Sequence, residues 1–267
     1  MQIMTISLLL QICFLVFIYM TAIFFLALYK KNNSLVDIAW GIGFILIAFY
    51  TLIHDDHFFS RQLLVTAMVF LWGIRLSTHI FLRNKNKDED PRYARWRREW
   101  VNNFILRSFF QIFMLQGFVM FIVVLPIIRI NSSINPNLNF LDLLGFCIWL
   151  IGFLFESIGD FQLSKFIRNP ANHGKIMKQG LWRYTRHPNY FGEITLWWAI
   201  YCLALAVPYG WITIISPITI TFLLLYVSGI PMLEKQFEDN QEFQRYKRET
   251  SALFPWFVNQ KIYDYFN

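Results

Sequence analysis

The chain has 267 residues, of which 56% are hydrophobic, 19% aromatic and 15% charged, with a formal net charge of +7. Soluble domains carry about 25% charged residues, so a soluble reading would need several all-round apolar helices in one modest core, and the composition speaks for a polytopic helical membrane protein instead. Nucleic acid is not called for, because the basic residues lie beside apolar spans, and Cys13, Cys147 and Cys202, none in a CxxC pair, argue against disulfides and thiolate metal sites.

The apolar runs predict seven transmembrane helices in one all-α domain covering residues 1–267. The spans run over about 3–29, 35–53, 62–82, 104–128, 141–159, 190–207 and 211–231. The first lacks the basic start and small-residue cleavage site of a signal peptide and is kept as a span. Pro208, Tyr209 and Gly210 supply the turn between the last two. Beyond them, "LEKQFEDNQEFQRYKRETSALFPWF" has the charge and aromatic mix of a helix at the membrane interface.

Charge tests this count. Residues 30–34, 83–103, 160–189 and 232–267 fall on one side and hold 20 of the 24 Lys and Arg, whereas the opposite loops hold two, Arg61 and Arg129. The positive-inside rule then places the N-terminus outside and the basic loops and C-terminal tail in the cytoplasm.

Ionisable groups within spans cost about 2.5–3.5 kcal/mol each and so mark function by default. Asp37 lies near the start of the second span, and Arg75 and His79 share a face of the third at i, i+4 spacing. Glu156 and Asp160 end the fifth with the same spacing, and Glu193 opens the sixth. All belong to the cytoplasmic half, and the outer half has almost none, which predicts one polar cavity open to the cytoplasm. Each also has a plainer use: Arg75 can snorkel, Asp37 can cap its helix, His79 can bond a neighbouring helix, and Glu156 and Asp160 can pair with the basic loop. "HDDHFF", residues 54–59, contains metal-ligating types, but with no other His or Cys on that side no metal site is expected. The loop "RNKNKDEDPRYARWRREW" reads as solvated and mixed in sign, its basic half, Arg92 to Arg98, also able to reach a phosphate. No P-loop, HExxH, GxSxG or strand-borne GxGxxG occurs.

"GLWRYTRHPNYFGEITLWW", residues 180–198, packs Arg183, Arg186, His187, Asn189 and Glu193 where a helix enters the bilayer. Guanidinium groups match phosphate in a bidentate fork, and Pro188 marks a helix N-terminus with unpaired N–H groups. Arg183, Tyr184, Arg186, His187, Asn189, Tyr190 and Glu193 are therefore candidate contacts of an anionic cofactor, beside Lys165, Arg168, Lys175 and Lys178 of the preceding loop.

"GLWRYTRHPNYFGE", with "GDFQLSKFIRNP" before it and "PMLEKQFEDNQEFQRYKRETSALFPWF" after it, resembles the C-terminal domain of steroid 5-alpha reductases, and more closely the bacterial membrane proteins grouped with them. The upstream "SLVDIAWGIGF" and "WGIRLSTHIF" fit the bacterial group, so the resemblance covers nearly the whole chain. It implies a seven-helix bundle in a bacterial inner membrane, NADPH entering from the cytoplasm, and a lipophilic enone reduced in the bilayer. It also implies that Asp160 and Arg168 hold the nucleotide, that Asn189 and Glu193 meet the nicotinamide end and that Arg75 meets the phosphates; Glu156, on the face of Asp160, is counted with these cofactor contacts from its place in the fifth span. Asp37 falls at about the place of the glutamate that polarises the substrate carbonyl, and Trp72 where a tyrosine is expected.

The chemistry expected is conjugate reduction, with Asp37 and Trp72 as donors to the carbonyl oxygen and His79 relaying protons. The rival readings are an S-adenosylmethionine-dependent methyltransferase of the isoprenylcysteine type, compatible with Arg-His-Pro and Glu234, and a non-enzymatic lipid-binding or transport protein. Expected partners are membrane lipids and a lipophilic small molecule; substrate identity and oligomeric state are not legible.

Overall fold

The apolar runs fold as helices, and every regular element among the described residues of this computed structural model (5–54, 58–134 and 137–256) is helical. Asp55, Asp56 and His57 of the "HDDHFF" stretch lie outside those residues, as does the end of the tail from Phe257. The helices are α1 (Ile6–Lys30), α2 (Leu35–His54), α3 (Ser60–Asn84), α4 (Pro91–Glu99), α5 (Val101–Val123), α6 (Leu125–Asn131), α7 (Phe140–Arg168), α8 (Pro188–Ala204), α9 (Gly210–Lys235) and α10 (Gln241–Glu249).

Six of them, α1, α2, α3, α5, α7 and α9, are long and apolar enough to cross a bilayer, and the chain is an integral membrane protein. Their outer faces are apolar, with Phe14 65% and Phe118 62% exposed. The expected sixth span is α8, whose 17 residues reach about 26 Å, short of a hydrocarbon core of about 30 Å. It stops because Pro208 and a turn follow, and because Gly210 passes so close to the Ala204 carbonyl that a Cβ there would lie 1.6 Å from its oxygen.

Two other spans differ from the sequence reading. The fourth is interrupted at Val124, just before Pro126, and resumes as α6. Proline has no N–H to give the preceding turn, and its ring crowds the carbonyl four residues back. The fifth does not end at 159: α7 continues to Arg168, where Asn169 and Pro170 stop it. No glycine or proline interrupts residues 160–168, and Glu156 and Asp160 consequently lie inside a helix rather than at its end.

The chain packs as two compact units, one of Met1–Gly145 with Ile200–Ser216, the other of Phe146–Ala199 with Pro217–Asn267. In the first, α2 and α3 form an antiparallel pair in close backbone contact. A Cβ on Gly41 would lie 2.5 Å from the Gly73 oxygen, and one on Gly73 would lie 2.7 Å from the Gly41 oxygen. Without side chains there, the two backbones approach closely, as small residues permit in membrane interiors. In the second unit, a Cβ on Gly152 would lie 2.7 Å from the Gly192 oxygen, and one on Gly192 2.5 Å from the Glu156 nitrogen. This contact seats the start of α8 on the Glu156 turn of α7.

The first unit also places a buried ionisable pair at the ends of spans where almost no ionisable group was expected. Arg61, 1% exposed, grips Asp142, 2% exposed, through Nε–Oδ1 at 2.6 Å and Nη2–Oδ2 at 2.7 Å, and donates to the Asn137 carbonyl. Gln62 donates to the Asn131 carbonyl at 2.7 Å, and Asn131 donates to Thr51 Oγ1 at 2.9 Å. Arg61 and Asp142 begin different helices, 81 positions apart, so their pairing leaves no local signature.

Because the α2–α3 contact is backbone on backbone, Gly73→Ala is expected to cost about 1–3 kcal/mol as overpacking. Gly117→Ala should cost less, since its Cβ would meet only Met20 and Val16 side-chain atoms at 3.1–3.2 Å. Thermal unfolding in detergent checks this; equal losses in the two variants contradict it.

Candidate functional site

The segment after α3, expected as a solvated loop, folds back onto the start of α2. Asp90 caps α4, accepting from the Arg92 backbone N–H at 3.0 Å, and Pro91 opens the helix where a missing N–H costs nothing. Two bonds tie this segment to the α1–α2 turn, and an ion pair within the segment braces them. The Asp90 N–H donates to Ser34 Oγ at 2.8 Å, the Asn33 N–H donates to Glu89 Oε1 at 2.7 Å, and Arg97 grips Glu89 with two bonds of 2.8 Å. Tyr93 is thereby buried, 3% exposed, and its hydroxyl donates to Asp37 Oδ1 at 2.7 Å. Arg92 Nη2 donates to Asp37 Oδ2 at 3.2 Å. Gln116 of α5, just beyond a π-helical turn at Phe109–Met114, donates to Tyr93 Oη at 3.4 Å. Burial first, and the Asp37 carboxylate second, hold the Tyr93 phenol well above its usual range, so it stays protonated.

The residues foreseen on α3 are spread along this cluster. Trp72 is fully buried and packs edge-on against Phe44 at 5.4 Å. Phe44 is seven residues beyond Asp37, about 10 Å along α2, so the hydroxyl beside Asp37 is that of Tyr93, not the Trp72 indole. Phe44 meeting Trp72, and Gly41 meeting Gly73 and Ser77, fix the antiparallel register. Continued by one turn, it brings His79 to the level of Asp37, with Arg75 a turn above. Arg92 and Arg97, foreseen as able to reach a phosphate, are engaged by Asp37, Asp90 and Glu89. Arg95 pairs with Glu99 at 2.6 Å.

The second unit gathers most of the other predicted residues. Trp182 is buried and donates from Nε1 to the Gly159 carbonyl at 3.1 Å, while Gln162 Oε1 accepts from the Leu181 N–H at 3.0 Å. These bonds lay the 180–187 segment along α7, so that Asn189 Nδ2 donates to Asp160 Oδ1 at 3.2 Å. Glu156, 3% exposed, is one turn before Asp160, and Glu193 one turn after Asn189. Asn189 Oδ1 is buried with no hydrogen-bond partner among the described residues, an acceptor left open in a polar nook. Arg168, Arg183 and Tyr184 are exposed. Tyr190 stacks on the His187 ring at 5.5 Å.

Arg186 and His187, foreseen as phosphate ligands, have a different occupation. Arg186 is 7% exposed and donates from Nε to Glu234 Oε1 at 2.9 Å, from Nη1 to the Lys247 carbonyl at 3.0 Å, and to the Thr250 carbonyl. His187 Nε2 lies 3.1 Å from the same Glu234 oxygen, and Lys247 Nζ bonds Glu234 Oε2 at 2.9 Å. Tyr246 Oη donates to the Trp182 carbonyl. The tail is strapped onto the Arg-His-Pro turn, and α10 buries Phe243 and Tyr246 in the protein. Burial lowers the His187 pKa and outweighs the opposing Glu234 hydrogen bond, because Arg186 and Lys247 already neutralise that carboxylate.

Sequence reasoning missed Tyr93 and Arg92 as partners of Asp37, and Glu234 as the partner of Arg186. The Asp-Pro pair at 90–91 was the one available signal, a cap followed by proline at a helix start. Among the described residues no group of three or more His, Cys, Asp or Glu forms a metal site.

Compared with known proteins, residues 23–250 match a family model described as "Protein of unknown function (DUF1295)". No curated protein and no solved structure matches the chain.

Breaking the tail clamp with Glu234→Gln leaves buried Arg186 with its charge uncompensated, a loss of about 3–5 kcal/mol, and should expose the tail to limited proteolysis; unchanged melting and cleavage would contradict the clamp. The folded His187 pKa lies below the unfolded one, so the unfolded chain binds the proton first. Stability is then present above about pH 6.5 and lost as pH falls toward the folded pKa. His187→Gln should flatten that part of the melting-temperature profile.

Proposed function

We propose a function from the premise that this chain belongs to the family described as "Protein of unknown function (DUF1295)", whose model spans residues 23–250. The reading is a membrane-embedded, NADPH-dependent reductase of a C=C bond conjugated to a carbonyl, acting on a lipophilic steroid- or isoprenoid-like substrate in the inner membrane of a bacterium. Seven crossings, with α8 as the short one and the tail in the cytoplasm, belong to this reading.

The observation that carries it is the Tyr93–Asp37 contact of 2.7 Å at the end of an apolar helix. A buried phenol beside a half-buried carboxyl is a proton-donating pair suited to a carbonyl oxygen that gains negative charge. The resemblance to steroid 5-alpha reductases calls for a tyrosine sharing the carbonyl with the acid, and Tyr93 supplies it from α4. The aromatic cluster of Trp40, Phe44 and Trp72, in edge contacts of 5.2 and 5.4 Å with Phe44 and Trp72 fully buried, keeps water from this part of α2 and α3.

The second unit fits a nicotinamide coenzyme. The open acceptor Asn189 Oδ1 suits a carboxamide N–H, with Asp160, Glu156, Glu193 and Tyr190 around it, and Arg168, Arg183 and Lys175 are exposed cations suited to phosphates, with Tyr184 beside them. When bound, the coenzyme supplies a hydride for the beta carbon. The chain's own part is to orient Asn189 through Asp160, to exclude water with its aromatic cluster, and to hold a proton at Tyr93 Oη and Asp37.

NADPH should raise the melting temperature of the detergent-purified protein, and S-adenosylmethionine should not; stabilisation by S-adenosylmethionine alone would overturn the reading in favour of a methyltransferase. With an enone that supports NADPH oxidation, Tyr93→Phe and Asp37→Asn should each lower turnover about 10²–10³-fold with NADPH affinity unchanged. Wild-type turnover in both variants removes the pair from the chemistry.

A further inference from the structure

Gln116 is a carboxamide in an otherwise apolar stretch of α5, with Leu115 and Phe118 exposed on either side of it. A π-helical turn, Phe109–Met114, ends just before it. Such a turn carries one extra residue and is frequent at functional sites. It resets the direction of the side chains that follow by about 100°, one residue of an α-helical turn. Gln116, half-buried, donates from Nε2 to Tyr93 Oη at 3.4 Å. The partner fixes the sense of that bond. Tyr93 has one proton, given to Asp37 Oδ1 at 2.7 Å. Its oxygen can therefore only accept on the other side, and the carboxamide nitrogen, not the carboxamide oxygen, must face it.

A long bond between two neutral groups adds little to the fold; its weight falls on the acid. When a phenol ionises, a donor on its oxygen becomes charge-assisted, shorter and about twice as strong. Gln116 thus favours the phenolate over the phenol, and opposes the burial and the Asp37 charge that hold the Tyr93 pKa up. The charged and titratable groups around the pair are Asp37 of α2, Asp90 and Arg92 at the start of α4, and His79 and Arg83 of α3. The Arg92 guanidinium lies 5.4 Å from the Tyr93 ring, and Arg83 acts on Asp37. All of them stay in place when Gln116 alone is changed, so a difference between Gln116 variants belongs to its own donor.

We propose that Gln116 is a positioning residue for the Tyr93 acid: its N–H holds the phenol oxygen beside Asp37 and steadies the phenolate left when the proton passes to a substrate carbonyl. This rests on the reading of the Tyr93–Asp37 pair as the carbonyl-binding acid. In that step the Oη–H bond breaks, the proton goes to the carbonyl oxygen and the electron pair stays on Oη. Tyr93 then takes a proton back from water.

The first measurement needs neither coenzyme nor substrate. Full-length protein in detergent carries Tyr93→difluorotyrosine, whose fluorines bring the phenol's ionisation into a range that phenolate absorbance can follow. Gln116→Met keeps the length of the side chain and removes the donor. It should raise the phenol pKa by about one unit, a tenfold fall in acid dissociation. Gln116→Asn keeps the carboxamide but is too short to reach Oη; it should give the same rise, and it serves if Gln116→Met does not fold. A general effect of polarity near the ring would instead leave Gln116→Asn at the wild-type value. An unchanged pKa in both variants overturns the proposal. With natural Tyr93 and an enone that supports NADPH oxidation, Gln116→Met should lower kcat by up to about tenfold and leave KM unchanged. Where Tyr93→Phe loses turnover, a raised pKa with wild-type kcat in Gln116→Met sinks the role of Gln116 alone. Wild-type turnover in Tyr93→Phe removes the reductase reading itself, so the two failures are distinguishable.

Discussion

The structure turns on the need to satisfy a carboxylate placed at the end of an apolar helix. Asp37 in an otherwise hydrophobic α2 is unfavourable unless donors reach it. The chain supplies them from the segment after α3, whose cap, proline and short helix α4 are tied by Ser34, Asn33 and Glu89 so that Tyr93 and Arg92 arrive at the two oxygens of one carboxyl. Much of what distinguishes this end of the first unit follows. The loop becomes a helix, the tyrosine is buried, and charges that look solvated in the sequence pair within the protein.

The second unit obeys the same rule with the opposite sign. Buried Arg186 needs acceptors, and it finds Glu234 and two tail carbonyls. The Arg-His-Pro turn therefore has two jobs on adjacent residues. Arg186 and His187 face the tail and hold it, whereas Asn189, the second residue of α8, faces Asp160 and keeps an acceptor open. A motif that reads as one cationic patch is divided by side-chain direction into a clamp and a candidate binding surface.

Close helix contacts set the frame within which these groups act. Gly41 against Gly73 brings α2 and α3 together, and Gly152 and Gly192 do the same for α7 and α8. In hydrocarbon there is no hydrophobic drive between helices, so the gain comes from contact itself and depends on the absence of a Cβ. The antiparallel register this fixes puts Trp72 beside Phe44 and His79 at the level of Asp37, which is why only part of the α3 face belongs with the acid.

The sequence by itself determined that the chain is helical and membrane-embedded, roughly where six of its spans run, and that the 180–193 stretch is chemically distinct. Those properties are local: hydropathy, periodicity and the residue types within one run decide them. Only the tertiary structure decided that Tyr93 rather than Trp72 stands beside Asp37, that Arg186 belongs to Glu234, and that Arg61 grips Asp142 far along the chain. A donor and an acceptor separated by 48 or 81 positions leave no periodic trace, because their meeting is set by which helices can approach closely and how far each one continues.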